Sequence, residues 1–165
     1  MSSKAEPLVI NTGPLIALAS CGRLSLFQGL FQSVLVPETV RHEFQHGSSK
    51  PAQEVSETEL PDWMEVRTPE SPSSLLLSTY LDAGEADVIS LAVERKIRWV
   101  AVDEKRGRRV ARLFGLSVIG SVGILLRAKR EGLIDAVRPS METMKQAGIW
   151  MSAQLWERAI RAAGE

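Results

Sequence analysis

Cysteine is nearly missing from this chain: Cys21 is the only one among 165 residues. A lone thiol excludes an internal disulfide framework and a cysteine-built zinc site, and it fits a reducing cytosol. Long apolar runs are also missing. Met1 to Pro7 is polar and lacks the apolar run of a signal peptide. No stretch approaches the length needed to cross a membrane, so a cytoplasmic protein without a membrane partner is expected. Net charge is zero, with 20 basic residues against 20 acidic ones, which excludes a general basic coat for nucleic acid. There is no G-x-G-x-x-G fingerprint and no G-x-x-x-x-G-K-[ST] phosphate loop. Internal repeats and low-complexity segments are absent as well. Aromatics are few, and Trp63, Trp99, Trp150 and Trp156 are scattered, so packing is the default role for each. Trp150 and Trp156, beside Met151, mark a candidate contact surface.

What is present suits one globular domain over 1–165, because the length allows a respectable core. Short apolar runs alternate with helical patterns. Strands are expected at Leu8–Ile10, Val34–Val36, Trp63–Arg67, Trp99–Val102 and Leu116–Ile119. Helices are expected from Leu15 to Ala19, with Thr12 as a cap, then over Leu24–Leu30, Pro37–His46 and Ser73–Leu81. Others begin at Gly84 and within the basic run, and a further one runs from Gly120–Gly123 to Arg130. A loop-rich acidic stretch fills 47–74, and two helices close the chain within 135–165. This alternation predicts a three-layer α/β/α sandwich with a central, largely parallel sheet.

The segment from Gly84 to Arg109 organises the rest. At roughly 100° per residue, Val88, Ile89, Ala92 and Val93 form one stripe, with Glu85 near its centre. A carboxylate heading a buried stripe is costly unless a cation, a metal or a proton compensates it. The next strand ends in Asp103. In an open parallel sheet, strand C-termini and helix N-termini meet at the edge where ligands bind, so Glu85 and Asp103 belong together. Asn11 after the first strand and Glu43 in the third helix fall towards the same edge. Oxygen donors of this kind suit Mg²⁺ or Mn²⁺, which could act on a phosphodiester. Lys105, Arg106, Arg108, Arg109 and Arg112 crowd against a single acid, Glu104, within nine positions. Lys105, Arg106 and Arg109 are the candidate phosphate contacts. Asp87 and Glu104 stand in reserve as further acids, although Asp87 faces away from the buried stripe.

Two other motifs carry chemistry. His42-Glu43-Phe44-Gln45-His46 matches H-E-x-x-H, the zinc helix of many metallopeptidases. Here Val40 and Phe44 define the buried face, so both imidazoles are expected to project outwards. Gly120-Ser121-Val122-Gly123 could offer backbone amides to a phosphate or a plain serine cap.

The order of these segments resembles the PIN-domain family. It is carried by Asn11-Thr12-Gly13-Pro14-Leu15, Pro37 with Glu43, Gly84-Glu85-Ala86 and Val102-Asp103-Glu104-Lys105-Arg106-Gly107-Arg108-Arg109. Gly120 to Lys129 resembles the branch similar to VapC toxins. The resemblance implies a metal-dependent ribonuclease with Asn11, Glu43, Glu85 and Asp103 as catalytic and metal-binding positions, using Mg²⁺ or Mn²⁺. It allows RNA, a cognate antitoxin and a second copy of the chain as partners. The family's usual first acid is an aspartate; Asn11 can still ligate through its amide oxygen but brings no charge, so weaker metal binding is expected. A non-catalytic PIN-like module that binds RNA or a partner, and a zinc peptidase using His42 and His46, are the alternatives.

Overall fold

The computed structural model describes residues 6–46, 59–71 and 74–165. Half of the acidic stretch over 47–74 lies outside them, as does the expected helix start at Ser73. The strands are β1 (Leu8–Ile10), β2 (Val34–Pro37), β3 (Met64–Arg67), β4 (Trp99–Ala101) and β5 (Ser117–Ile119), and they form one sheet in the order β3-β2-β1-β4-β5. Every pairing is parallel. β1 and β2 are apolar and buried at every position because helices cover both faces.

The helices are α1 (Thr12–Ser20), α2 (Ser25–Leu30), α3 (Glu38–Gln45), α4 (Leu75–Tyr80) and α5 (Ala83–Glu94), followed by α6 (Lys105–Leu113), α7 (Ser121–Arg130), α8 (Arg138–Gln146) and α9 (Ala153–Ala163). The result is the three-layer α/β/α sandwich. A hydrophobic cluster joins Leu8, Ile10, Phe27, Leu91, Ile124 and Met141, among others. Each such side chain stabilises the fold by roughly 1.5–3 kcal/mol when fully buried. No helix among the described residues is long and apolar enough to cross a membrane.

The chain departs from expectation in three places. α1 begins at Thr12 rather than Leu15, so the cap position falls on Asn11. On α5, Val93 is 48 % exposed, and Leu91 takes the place expected of it in the buried face. The i+3 and i+4 positions after Val88 turn inwards, whereas Val93 has rotated past the core. Trp63 lies outside β3, although it packs against the core. Cys21 is half-buried; its thiol donates to the Leu18 carbonyl, and burial pushes it up to about 11, far from a reactive thiolate.

Sheet order brings the nominated residues to one edge. β1 pairs with β2 on one side and β4 on the other, so the chain reverses direction across the sheet between β1 and β4. Ligands in open α/β sheets bind in the crevice beyond such a switch point. Here the pairing extends one step further: Asn11 N–H donates to the Ala101 carbonyl at 3.0 Å, and Val102 N–H to that of Ile119 at 3.0 Å. Asn11 and Asp103 are thereby delivered to adjacent strand ends.

Candidate active site

Asn11 occupies the N-cap of α1 in extended conformation, yet its side chain makes no capping bond. Asparagine is among the best capping residues, so an unused cap is unusual. The residue is 6 % exposed, and its amide makes no hydrogen bond among the described residues. No buried polar side-chain atom is left unpaired among those residues, so this amide keeps its contact with solvent at the crevice. Thr12, expected as the cap, instead donates its hydroxyl to Glu43 Oε2 at 2.5 Å. That bond ties the start of α1 to α3 and places the Glu43 carboxylate beside a helix N-terminus, where negative charge is favoured.

Glu43 reaches the start of α5. A Cβ at Gly84 would stand 2.9 Å from Glu43 Oε1, so only glycine leaves that carboxylate its place. The adjacent Glu85 completes a capping box with Asp82: Glu85 N–H donates to Asp82 Oδ1 at 2.8 Å, and Asp82 N–H donates to Glu85 Oε2 at 3.3 Å. Glu85 is 6 % exposed. Burial pushes its carboxyl above the ordinary glutamate range, aided by the charges of Asp82 and Glu104; the Asp82 N–H and the Arg106 charge oppose the rise. Its other oxygen, Oε1, lies 3.0 Å from where a Cβ on Gly107 would sit.

Asp103 is held by the start of α7. Ser121 donates its N–H to Oδ1 at 2.7 Å and its hydroxyl to Oδ2 at 2.5 Å. Ser121 therefore neither caps α7 through its side chain nor leaves its amide free for a phosphate. A Cβ at Gly120 would meet Asp103 Oδ1 at 2.8 Å and the Arg108 guanidinium at 2.6 Å. Arg108 is half-buried and donates to the Val102 carbonyl at 3.2 Å. It stands near Asp103, but the two form no ion pair within 4.0 Å among the described residues. A Cβ at Gly13 would come within 3.7 Å of Asp103, which closes the circle at the start of α1. Asn11, Glu43 and Asp103 thus stand at the first turn of α1, whereas Glu85 lies on α5 between Asp82 and the Gly107 position, next in sequence to the Gly84 that Glu43 faces. Thr12, Asp82, Arg108, Ser121 and the glycines at 107 and 120 join them. The visible hint was glycine beside acid, as in Gly84-Glu85.

The donor set is all oxygen, three carboxylates and one amide, and it suits a hard divalent cation. Among the described residues no three acidic or imidazole groups converge tightly enough to cage an ion. The reserve acids stand elsewhere: Asp87 accepts from the Thr39 hydroxyl at 2.9 Å, between α5 and α3, and exposed Glu104 acts on Glu85 only through its charge.

The basic run divides. Lys105 and Arg109 line a shallow surface depression with Arg108, Arg112 and Leu113. Arg106 is not among the residues that line it, and its charge acts on Glu85. Lys105, Arg108, Arg109 and Arg112 recur at i, i+3, i+4 and i+7 and so share one face of α6, which position 106 does not. The H-E-x-x-H motif divides too: His42 and His46 stack on the exposed side of α3, whereas Glu43 between them reaches Thr12.

An all-parallel α/β sandwich with an acidic, oxygen-only crevice at its switch point is the class that these features define. A family model described as a PIN domain matches residues 7–165, and the chain belongs to the PIN-domain family, a nuclease-type fold. No curated protein matches the chain.

Proposed function

We propose that the protein is a divalent-metal-dependent endoribonuclease, and that it serves as the toxin of a toxin–antitoxin pair of the VapC kind. The nuclease reading is supported by Glu43, bonded to Thr12, and Asp103, beside Gly13, both at the turn of α1 that follows Asn11, with buried Glu85 adjoining the Gly84 that Glu43 faces. The similarity of Gly120–Lys129 to the VapC branch supports the toxin role.

Asp103 and Glu85, with Glu43 and the Asn11 amide, would hold Mg²⁺ or Mn²⁺. When bound, such an ion lowers the pKa of water and neutralises charge developing on a phosphodiester. The protein supplies orientation. Ser121 fixes both oxygens of Asp103 and so removes rotational freedom that would otherwise be lost on binding. Arg108, beside Asp103 yet unpaired with it, is placed to receive a phosphate oxygen. Lys105, Arg109 and Arg112 extend that contact along α6.

Labelled RNA incubated with purified protein and Mg²⁺ or Mn²⁺ tests the proposal. Cleavage that is abolished by Asp103→Asn, in a variant that still melts cooperatively, supports it. Equal cleavage by both proteins removes Asp103 from the mechanism. RNA retention without cleavage at any metal concentration favours a binding module, the reading that the uncharged Asn11 supports. Growth arrest on expression, relieved by the product of a small neighbouring reading frame, tests the toxin role.

A further inference from the structure

We propose that His42 and His46 form a second metal site, for a late first-row divalent ion such as Zn²⁺ or Cu²⁺, separate from the acidic crevice. The two residues are one helical turn apart near the end of α3, and both are exposed. Their rings stack with centroids 4.1 Å apart and planes at 29°; because imidazole lone pairs lie in the ring plane, an exposed ring must rotate about its side-chain torsions for both to meet one ion. His46 Nδ1 lies 2.9 Å from the His42 carbonyl. A carbonyl can only accept, so the His46 proton sits on Nδ1 and the lone pair of Nε2 is left for a ligand. Backbone anchoring of the remote ring nitrogen is how proteins orient metal-binding imidazoles. Imidazole suits Zn²⁺, Cu²⁺ and Ni²⁺ and is a poor match for Mg²⁺, so the two sites differ in the ions they select.

The site is not that of a peptidase. The glutamate that would activate water turns to the far side of the helix, where Thr12 holds it. Glu38, one turn before His42, is occupied by Arg41. No third ligand joins the pair among the described residues. With two protein ligands the ion keeps open positions and exchanges freely, unlike a closed structural zinc site. Bridging the last turn of α3 would stiffen the segment that carries Glu43.

Calorimetric titration of untagged, metal-free protein with Zn²⁺, Cu²⁺ and Mg²⁺ provides the test, with wild type, His42→Ala, His46→Gln and Asp103→Asn compared. One Zn²⁺ per chain is expected at the histidines, with Cu²⁺ tighter, following the usual order for nitrogen ligands. Either histidine variant should weaken Zn²⁺ binding at least about tenfold, because one tethered imidazole loses the effective concentration of the second. The Asp103→Asn variant should retain Zn²⁺ binding and lose only the Mg²⁺ response, which separates this proposal from the nuclease assignment. Zn²⁺ should also raise the melting temperature of wild type and not of the histidine variants. Undiminished Zn²⁺ affinity in both histidine variants, or its loss in Asp103→Asn, would overturn the site.

Discussion

Replacing Gly107 with alanine should destabilise the protein, although the same change inside an ordinary helix stabilises it by about 1 kcal/mol. Gly107 lies within α6, and a Cβ there would meet Val102 Cγ1 at 2.9 Å and Glu85 Oε1 at 3.0 Å. Favourable carbon contacts begin near 3.5 Å, so something must move. Val102 is 1 % exposed and β-branched, with little rotameric freedom. Glu85 is fixed by its capping box. Overpacking of this kind costs roughly 1–3 kcal/mol, which set against the helix gain leaves a net loss of up to about 2 kcal/mol. Gly29→Ala is the control. Its Cβ would meet Leu133 Cδ1 at an equal 2.9 Å, but Leu133 is 44 % exposed and can swing away. A gain of a few tenths to about 1 kcal/mol is expected there. With a urea slope of about 2 kcal/mol/M, the two midpoints should shift in opposite directions, by up to about 1 M downwards for Gly107→Ala and by a smaller step upwards for Gly29→Ala. Midpoints that shift in the same direction, or a more stable Gly107→Ala, would refute the packing argument.

Three further outcomes are expected from the same geometry. Glu85→Gln should stabilise the metal-free protein at neutral pH while keeping the capping box. Burial raises the folded pKa of Glu85, so ionisation costs stability as pH rises through the window above the unfolded value. Urea melts of the two proteins should therefore converge below about pH 4, under the unfolded pKa of roughly 4.3, and a gain that persists there would contradict the cause. Asn11→Asp should tighten Mn²⁺ binding by about tenfold or more, equivalent to roughly 1.4 kcal/mol, and lower metal-free stability through repulsion with its acidic neighbours; calorimetry and thermal melts read both. Ser121→Ala frees one oxygen of Asp103 and should weaken Mg²⁺ binding several-fold with Ser121→Thr restoring it, whereas equal affinity in all three proteins would deny Ser121 a positioning role.

Strand locations and the buried character of Glu85 could be read directly, because an apolar run between turn signals and a carboxylate within a helical stripe are both local patterns. The position of Asp103 followed from a general property of parallel sheets rather than from its neighbours. The partners were not legible. Nothing near Thr12 announces Glu43, which lies 31 residues away, and nothing near Ser121 announces Asp103, 18 residues before it. Such pairs are created by strand order, which local periodicity does not encode. The division of the basic run was hidden for a subtler reason. Lys105, Arg106 and Arg109 are equivalent in charge, and only their phase around α6 groups Lys105 and Arg109 with Arg112 and leaves Arg106 aside.

The crevice is drawn from separate stretches of chain that come together only across parallel crossovers, each of which requires an intervening helix. Such pairings form late and slowly, since distant segments must meet before any contact rewards them. Asp103 acquires both of its hydrogen bonds from Ser121, beyond the last strand of the sheet. A chain still emerging from the ribosome therefore carries its acids without the groups that aim them. On the nuclease reading proposed above, Asp103 is not aimed until synthesis has passed the start of α7, so maturation of the site would be timed by the fold itself.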